Sequence, residues 1–175
     1  MRITLRWVMF LSIIMMMSQV PSAQSQSRQQ HDHSQGDKSR QEQVNERGDR
    51  TMGFSHAKTA HHFRLKDDGG AIEVTAISGA DAASRDQIRR HLNRGAEMFS
   101  EGDFSAPMFI HGRTPPGVET MKRLKVEIKY EFIEIDRGAK VRISTANAEA
   151  VKAIHEFLRF QIRDHQTGDP IDVVN

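Results

Sequence analysis

A chain of 175 residues with 25 Lys and Arg against 23 Asp and Glu carries a formal charge of only +2, and it contains no cysteine. The missing cysteine excludes disulfides, thiolate metal ligands, a cysteine nucleophile and a lipid anchor attached through an N-terminal cysteine. Any chemistry must come from His, carboxylates, hydroxyls or Met.

Two arginines and no acid stand in Met1 to Arg6, and the apolar run Trp7 to Met17 follows. A basic start and a short apolar stretch make the pattern of a secretory signal peptide, and the run is well short of the roughly 20 residues that cross a bilayer. Residues 1–23 are therefore expected to be a cleavable signal peptide, with no transmembrane anchor after cleavage. Ser22, Ala23 and Ser25 are the small residues near the cut. Pro21 suits a cut after Ala23 poorly, so a cut after Ser25 stays open. The expected localisation is periplasmic or secreted. Removing Arg2 and Arg6 from the 25 basic residues leaves 23 against 23 acidic ones. A phosphate backbone needs an excess of Lys and Arg, so nucleic acid is excluded as a partner. Five of the nine methionines (Met1, Met9, Met15, Met16, Met17) fall in this segment, so the Met content is no signal for copper.

From Gln24 to Arg50 the only aliphatic residue larger than Ala is Val44. A segment so polar has little apolar surface to offset its ordering entropy, and residues 24–50 are expected to be a disordered linker. His31-Asp32-His33 lies within it as part of a solvated tether.

The domain is expected over residues 51–175. Residues 59–66 alternate, with His61, Phe63 and Leu65 on one face and His62, Arg64 and Lys66 on the other, which predicts a half-buried strand. Asp67-Asp68-Gly69-Gly70 supplies turn chemistry, and residues 71–77 return as a second strand. Asp81 then caps a helix with Ile88, Leu92, Gly95 and Phe99 along one face, closed by Gly102. The order repeats: strands over residues 126–135 and 141–145 about the turn Asp136-Arg137-Gly138, then a helix capped by Asn147. That helix carries Val151, Ile154, Leu158 and Ile162 and is expected to close at Gly168. Its offset from the first helix is a constant 66 residues. The pattern predicts an α+β fold of two ββα units, a duplicated layout that gives a four-stranded antiparallel sheet with two helices on one face. Residues 104–124 join the halves and hold a short helix through Met121 and Leu124.

At Met52-Gly53-Phe54, Lys58-Thr59, His61-His62-Phe63 and the run His155 to Ile162, the chain resembles a group of small exported bacterial proteins of unknown function. The resemblance covers roughly residues 52–170. It implies these domain limits and no activity.

Seven histidines fall in the expected domain, at positions 56, 61, 62, 91, 111, 155 and 165. Without cysteine, imidazole is the natural ligand for copper or zinc. The candidate metal set is His56, His61 and His62, completed by Met108 and His111. Against it, His61 and His62 point to opposite faces of a regular strand, so each has a structural role without a metal. His91 and His155 border the apolar stripes of their helices and are expected to be ordinary boundary residues. No strained nucleophile turn, phosphate-cradling glycine loop or paired carboxylates are recognisable, which argues against an enzyme; a small hydrolase using His and Asp joined by folding is the catalytic alternative. The reading favoured is an exported binding module for a small ligand or protein partner, with Met108, Phe109, Ile110, His111, Pro115 and Pro116 as its candidate surface. A copper or zinc protein is the other alternative.

Overall fold

The computed structural model describes residues 40–173. The expected signal peptide and residues 24–39 lie outside the described residues. Strands β1 (Thr59–Lys66) and β2 (Gly69–Ala76) form one antiparallel hairpin, and β3 (Lys129–Ile135) and β4 (Gly138–Ser144) form another. The hairpins meet through their second strands, giving the sheet order β1-β2-β4-β3. The register aligns His61, Val74 and Ala139, then Phe63, Ile72 and Val141, then Leu65, Gly70 and Ile143. Because strand side chains alternate, these rows share one face, which is buried, while His62, Arg64, Glu73, Lys140 and Arg142 share the other.

Two long helices cover the buried face. Helix α2 (Ala82–Ser100) packs chiefly on β3 and β4, and α5 (Ala148–Asp164) packs on β1 and β2. Their starts are fixed as the sequence predicts: Asp81 accepts the Ser84 N–H, and Asn147 accepts those of Glu149 and Ala150. Ile88, Leu92, Ile154 and Leu158 are all buried against the sheet. Between α2 and β3 lie α3 (Ser105–His111) and α4 (Val118–Arg123). The start of α4 touches α5 so closely that a Cβ at Gly117 would stand 2.1 Å from the Ala153 carbonyl oxygen. Among the described residues no helix is long and apolar enough to cross a membrane.

Several boundaries differ from expectation. Strands β2 and β4 begin earlier, at Gly69 and Gly138, inside the expected turns. Residues 40–50, expected as linker, belong to a helix, α1, that runs over residues 40–52. It buries Val44 and Gly48 one turn apart, and polar side chains tie it down at both ends. Arg40 Nη2 donates to Asp164 at 2.7 Å, Arg47 Nε donates to the Ile110 carbonyl at 2.7 Å, and Asp49 accepts the His56 N–H at 2.7 Å. The rest of the domain supplies the apolar wall, so one valine and a few directed bonds suffice where the composition of the segment alone argues against order. Strand β3 begins at Lys129 because Lys125–Glu127 forms a 3-10 turn, which leaves Val126 exposed. Helix α5 ends at Asp164 and not at Gly168: Gln166 adopts φ 52°, and the Thr167 N–H returns to the Ile162 carbonyl. The early stop lets Asp169 reach β1, where its carboxylate accepts the backbone N–H of Phe63 at 2.9 Å and Arg64 Nη1 at 2.8 Å.

Candidate functional site: a histidine-lined cavity between two helices

Helices α2 and α5 stand over different strands, and a cavity of about 440 Å³ lies between them. Its floor is the middle of the sheet, with His61, Phe63, Ile72, Val74 and Val141. Helix α2 contributes His91, Leu92, Gly95, Met98 and Phe99, and α5 contributes Phe157, Gln161 and, at its C-cap, His165. Thr51 and Met52 at the end of α1, and Phe109, Ile110 and His111 in α3, close the sides. The volume lies within the range of roughly 300–1,000 Å³ usual for small-ligand sites.

Four imidazoles reach this space from four different elements. The His61 and His165 rings are parallel within 1° at 5.9 Å between centroids. His165 also stacks on Phe63 at 5.7 Å and meets His111 edge-on at 5.0 Å. His61 stacks on Phe54, and Phe54 meets His91 edge-on at 5.7 Å. Burial disfavours the charged ring, so it pushes His61 and His91 down to about 4 and His165 down to about 3. The neighbouring His91 adds to the effect on His61, Arg94 to that on His91, and His111 to that on His165. At neutral pH these three rings carry no charge.

His111 is the most buried of the four and the most firmly held. Its Nδ1 lies 2.5 Å from Asp164 Oδ2 and its Nε2 lies 2.8 Å from the side-chain oxygen of Gln161. Burial lowers the His111 pKa, outweighing the opposing pull of Asp164. Burial alone would raise the Asp164 carboxyl, but hydrogen bonds from Arg40 and His111 hold it below the usual carboxylate range. Two buried side-chain atoms facing this region find no hydrogen-bond partner among the described residues: His61 Nε2 and Gln161 Nε2.

The five predicted metal ligands do not gather as one set. His61 and His111 line the cavity, separated by His165, whereas Met108 does not line it. A second depression, of about 420 Å³, is lined by His56, His61, His62 and His165. There, however, His56 Nδ1 pairs with Asp49 at 3.0 Å and His62 Nδ1 with Asp169 at 2.9 Å. Among the described residues no group of three or more His, Cys, Asp or Glu is placed to hold a metal ion. The predicted partner surface also shrinks. Ile110, His111 and Pro115 are buried and Met108 is half-buried, which leaves Phe109, at 57%, and Pro116 exposed.

His165, His91, Gln161 and Gly95 are the site residues that the sequence reading left as ordinary. One signal for them existed: His91, Gly95 and Met98 recur at helical spacing, a row that shares Gly95 with the stripe through Ile88 and Leu92 and faces the cavity. Gly95 is telling. It sits inside α2, and a Cβ built on it meets nothing within 4 Å. Alanine would fit there and favour the helix by roughly 0.5–1 kcal/mol. What glycine adds is room in the cavity.

No protein-family model, no curated protein and no solved structure matches this chain.

Proposed function

We propose that this protein is an exported small-molecule binding module whose ligand occupies the cavity between α2 and α5. The observation that carries the reading is the pair of unpartnered polar atoms, on His61 and Gln161, in a largely apolar cavity. A buried polar atom without a partner costs about 1–3 kcal/mol, a cost that a bound ligand offsets by completing the bond. The open space over Gly95 supports the same reading. Export, to a periplasmic or secreted location, rests on the pattern of residues 1–23.

The catalytic alternative gains less. His111 and Asp164 have the form of a base and the carboxylate that orients it. The second His111 nitrogen faces an amide, however, and not a nucleophilic hydroxyl. That arrangement suits a fixed structural ring better than a proton carrier.

The uncharged dye 1-N-phenylnaphthylamine tests the proposal. It should show saturable, blue-shifted fluorescence with about one dye bound per chain, and Gly95→Leu should reduce the affinity at least tenfold while the circular dichroism spectrum is retained. Dye uptake that never saturates, or that is unchanged in Gly95→Leu, would overturn the cavity as the binding site.

A further inference from the structure

The hydrogen-bond chain behind the cavity defines what the ligand must offer. A carboxylate only accepts, so the proton shared at 2.5 Å between His111 and Asp164 belongs to His111 Nδ1. The charge state of the ring then decides which way the Gln161 amide faces. An imidazolium would donate from Nε2 to the amide oxygen and leave the NH2 without a partner. In the structure the amide oxygen faces Nε2 at 2.8 Å and the NH2 is the atom without a partner. A neutral ring has a lone pair at Nε2, so it requires the amide turned end for end, with the NH2 toward the ring and the oxygen left free.

The surroundings favour the neutral ring. The one negative charge on His111, from Asp164 in α5, already faces Arg40 of α1 at 2.7 Å and Arg113, from the α3–α4 connection, at 3.6 Å. The remaining neighbours, Phe160 at 4.9 Å and His165 at 5.0 Å, are uncharged rings, and burial penalises a further cation. The amide oxygen of Gln161, on a residue only 4% exposed, is thus an acceptor awaiting a donor.

The walls add shape and polarity. The near-parallel rings of His61, His165 and Phe63 form flat faces suited to stacking. Within the cavity the imidazoles are neutral, so an ionic group placed deep in it would lose its hydration with no opposite charge in return. The only permanent charge among the lining residues is Arg94, which is exposed.

We propose that the ligand is an uncharged planar ring compound that donates a hydrogen bond, from a phenol-type hydroxyl or a ring N–H, to the side-chain oxygen of Gln161. The proposal rests on the cavity being the binding site, as argued above, and the test separates the two.

Three probes of one size, 4-ethylphenol, ethylbenzene and 4-ethylbenzoate, are titrated at pH 7.5 into the purified full-length mature chain, with binding followed by NMR. The phenol should bind at least tenfold more tightly than either of the others. Gln161→Leu should abolish that preference while keeping the ethylbenzene affinity, and the near-isosteric Gln161→Met serves if the Leu variant fails to fold. The 15N spectrum should show His111 as the neutral Nδ1–H tautomer. Equal binding of phenol and hydrocarbon, tightest binding of the benzoate, or a His111 imidazolium would each overturn the proposal. So would failure of all three probes while the naphthylamine dye still binds. Failure of the dye as well would instead remove the cavity reading itself.

Discussion

Two clusters of rings lie under the helices, and they differ in one kind of atom. At one end Phe99, Phe104 and Phe157 pack at centroid distances of 4.7, 6.0 and 6.3 Å, with Tyr130 beside them. At the other, Phe54, His61, Phe63, His111 and His165 pack at 5.0 to 6.1 Å. Ring packing is alike in both because imidazole and phenyl present similar flat faces. The ring nitrogens make the difference. Phe104 is buried in a filled core, with Phe99 and Phe157 between it and the cavity, whereas the histidines bring polar atoms that the protein leaves partly unpaired around the open space. Tyr130 is the exception on the filled side: its buried hydroxyl finds no partner among the described residues, and burial raises its pKa. Stacking geometry alone does not distinguish core from site; unmet hydrogen-bonding capacity beside an open space does.

The comparison breaks most visibly under truncation. Phe104→Ala should cost about 3–5 kcal/mol in urea unfolding, because it opens a void in a filled region. His165→Phe should change stability at pH 7.5 by less than about 1.5 kcal/mol, since ring shape is kept. If the histidine change costs as much as the phenylalanine one, the two clusters are equally committed to packing.

Acid sharpens the contrast next. The folded-state pKa values of His61, His91 and His165, about 4, 4 and 3, lie below the ordinary 6.5. Above pH 6.5 all three are neutral both folded and unfolded and contribute no pH dependence. Between 6.5 and about 4 the unfolded chain takes up protons that the folded chain refuses, so stability falls with pH by up to about 3 kcal/mol for each ring. Melting temperature should therefore begin to drop below pH 6.5, before carboxylates protonate. His165→Phe should flatten the fall measurably. A melting temperature that is constant from pH 7 to 5 would contradict neutral, buried rings.

The smallest effect belongs to Gly95. Gly95→Ala should stabilise α2 by about 0.5–1 kcal/mol while weakening uptake of the naphthylamine dye. A gain in stability with unchanged dye affinity would show that the glycine does not shape the cavity.

Much of the fold was legible because it depends on period. The alternation in residues 59–66 and the stripes through Ile88 and Ile154 reappear as β1, α2 and α5 with the same faces inward. The caps Asp81 and Asn147 were equally readable, since their chemistry is local. Helix α1 was not, because its order depends on bonds to Ile110 and Asp164, more than 60 residues away in sequence. The site was half legible. His61 was correctly placed on the inner face and His111 singled out, but the partners that define their environment, His165 and Gln161, come from the far end of the chain. Spacing along a sequence cannot show that four isolated histidines converge.

The bond from Asp169 to the Phe63 N–H bears on how molecules of this protein meet one another. β1 is an outer strand, and outer strands offer unpaired backbone groups on which another chain can continue the sheet. Asp169 occupies one of these groups and, with Thr167, His62 and Arg64, pins the C-terminal segment along that border. The opposite border, β3, carries Lys129, Glu131 and Glu134, charges that discourage a neighbouring strand. The segment after Gly168 thus covers part of the β1 edge, and its proteolytic loss would leave that edge open to pairing with another strand.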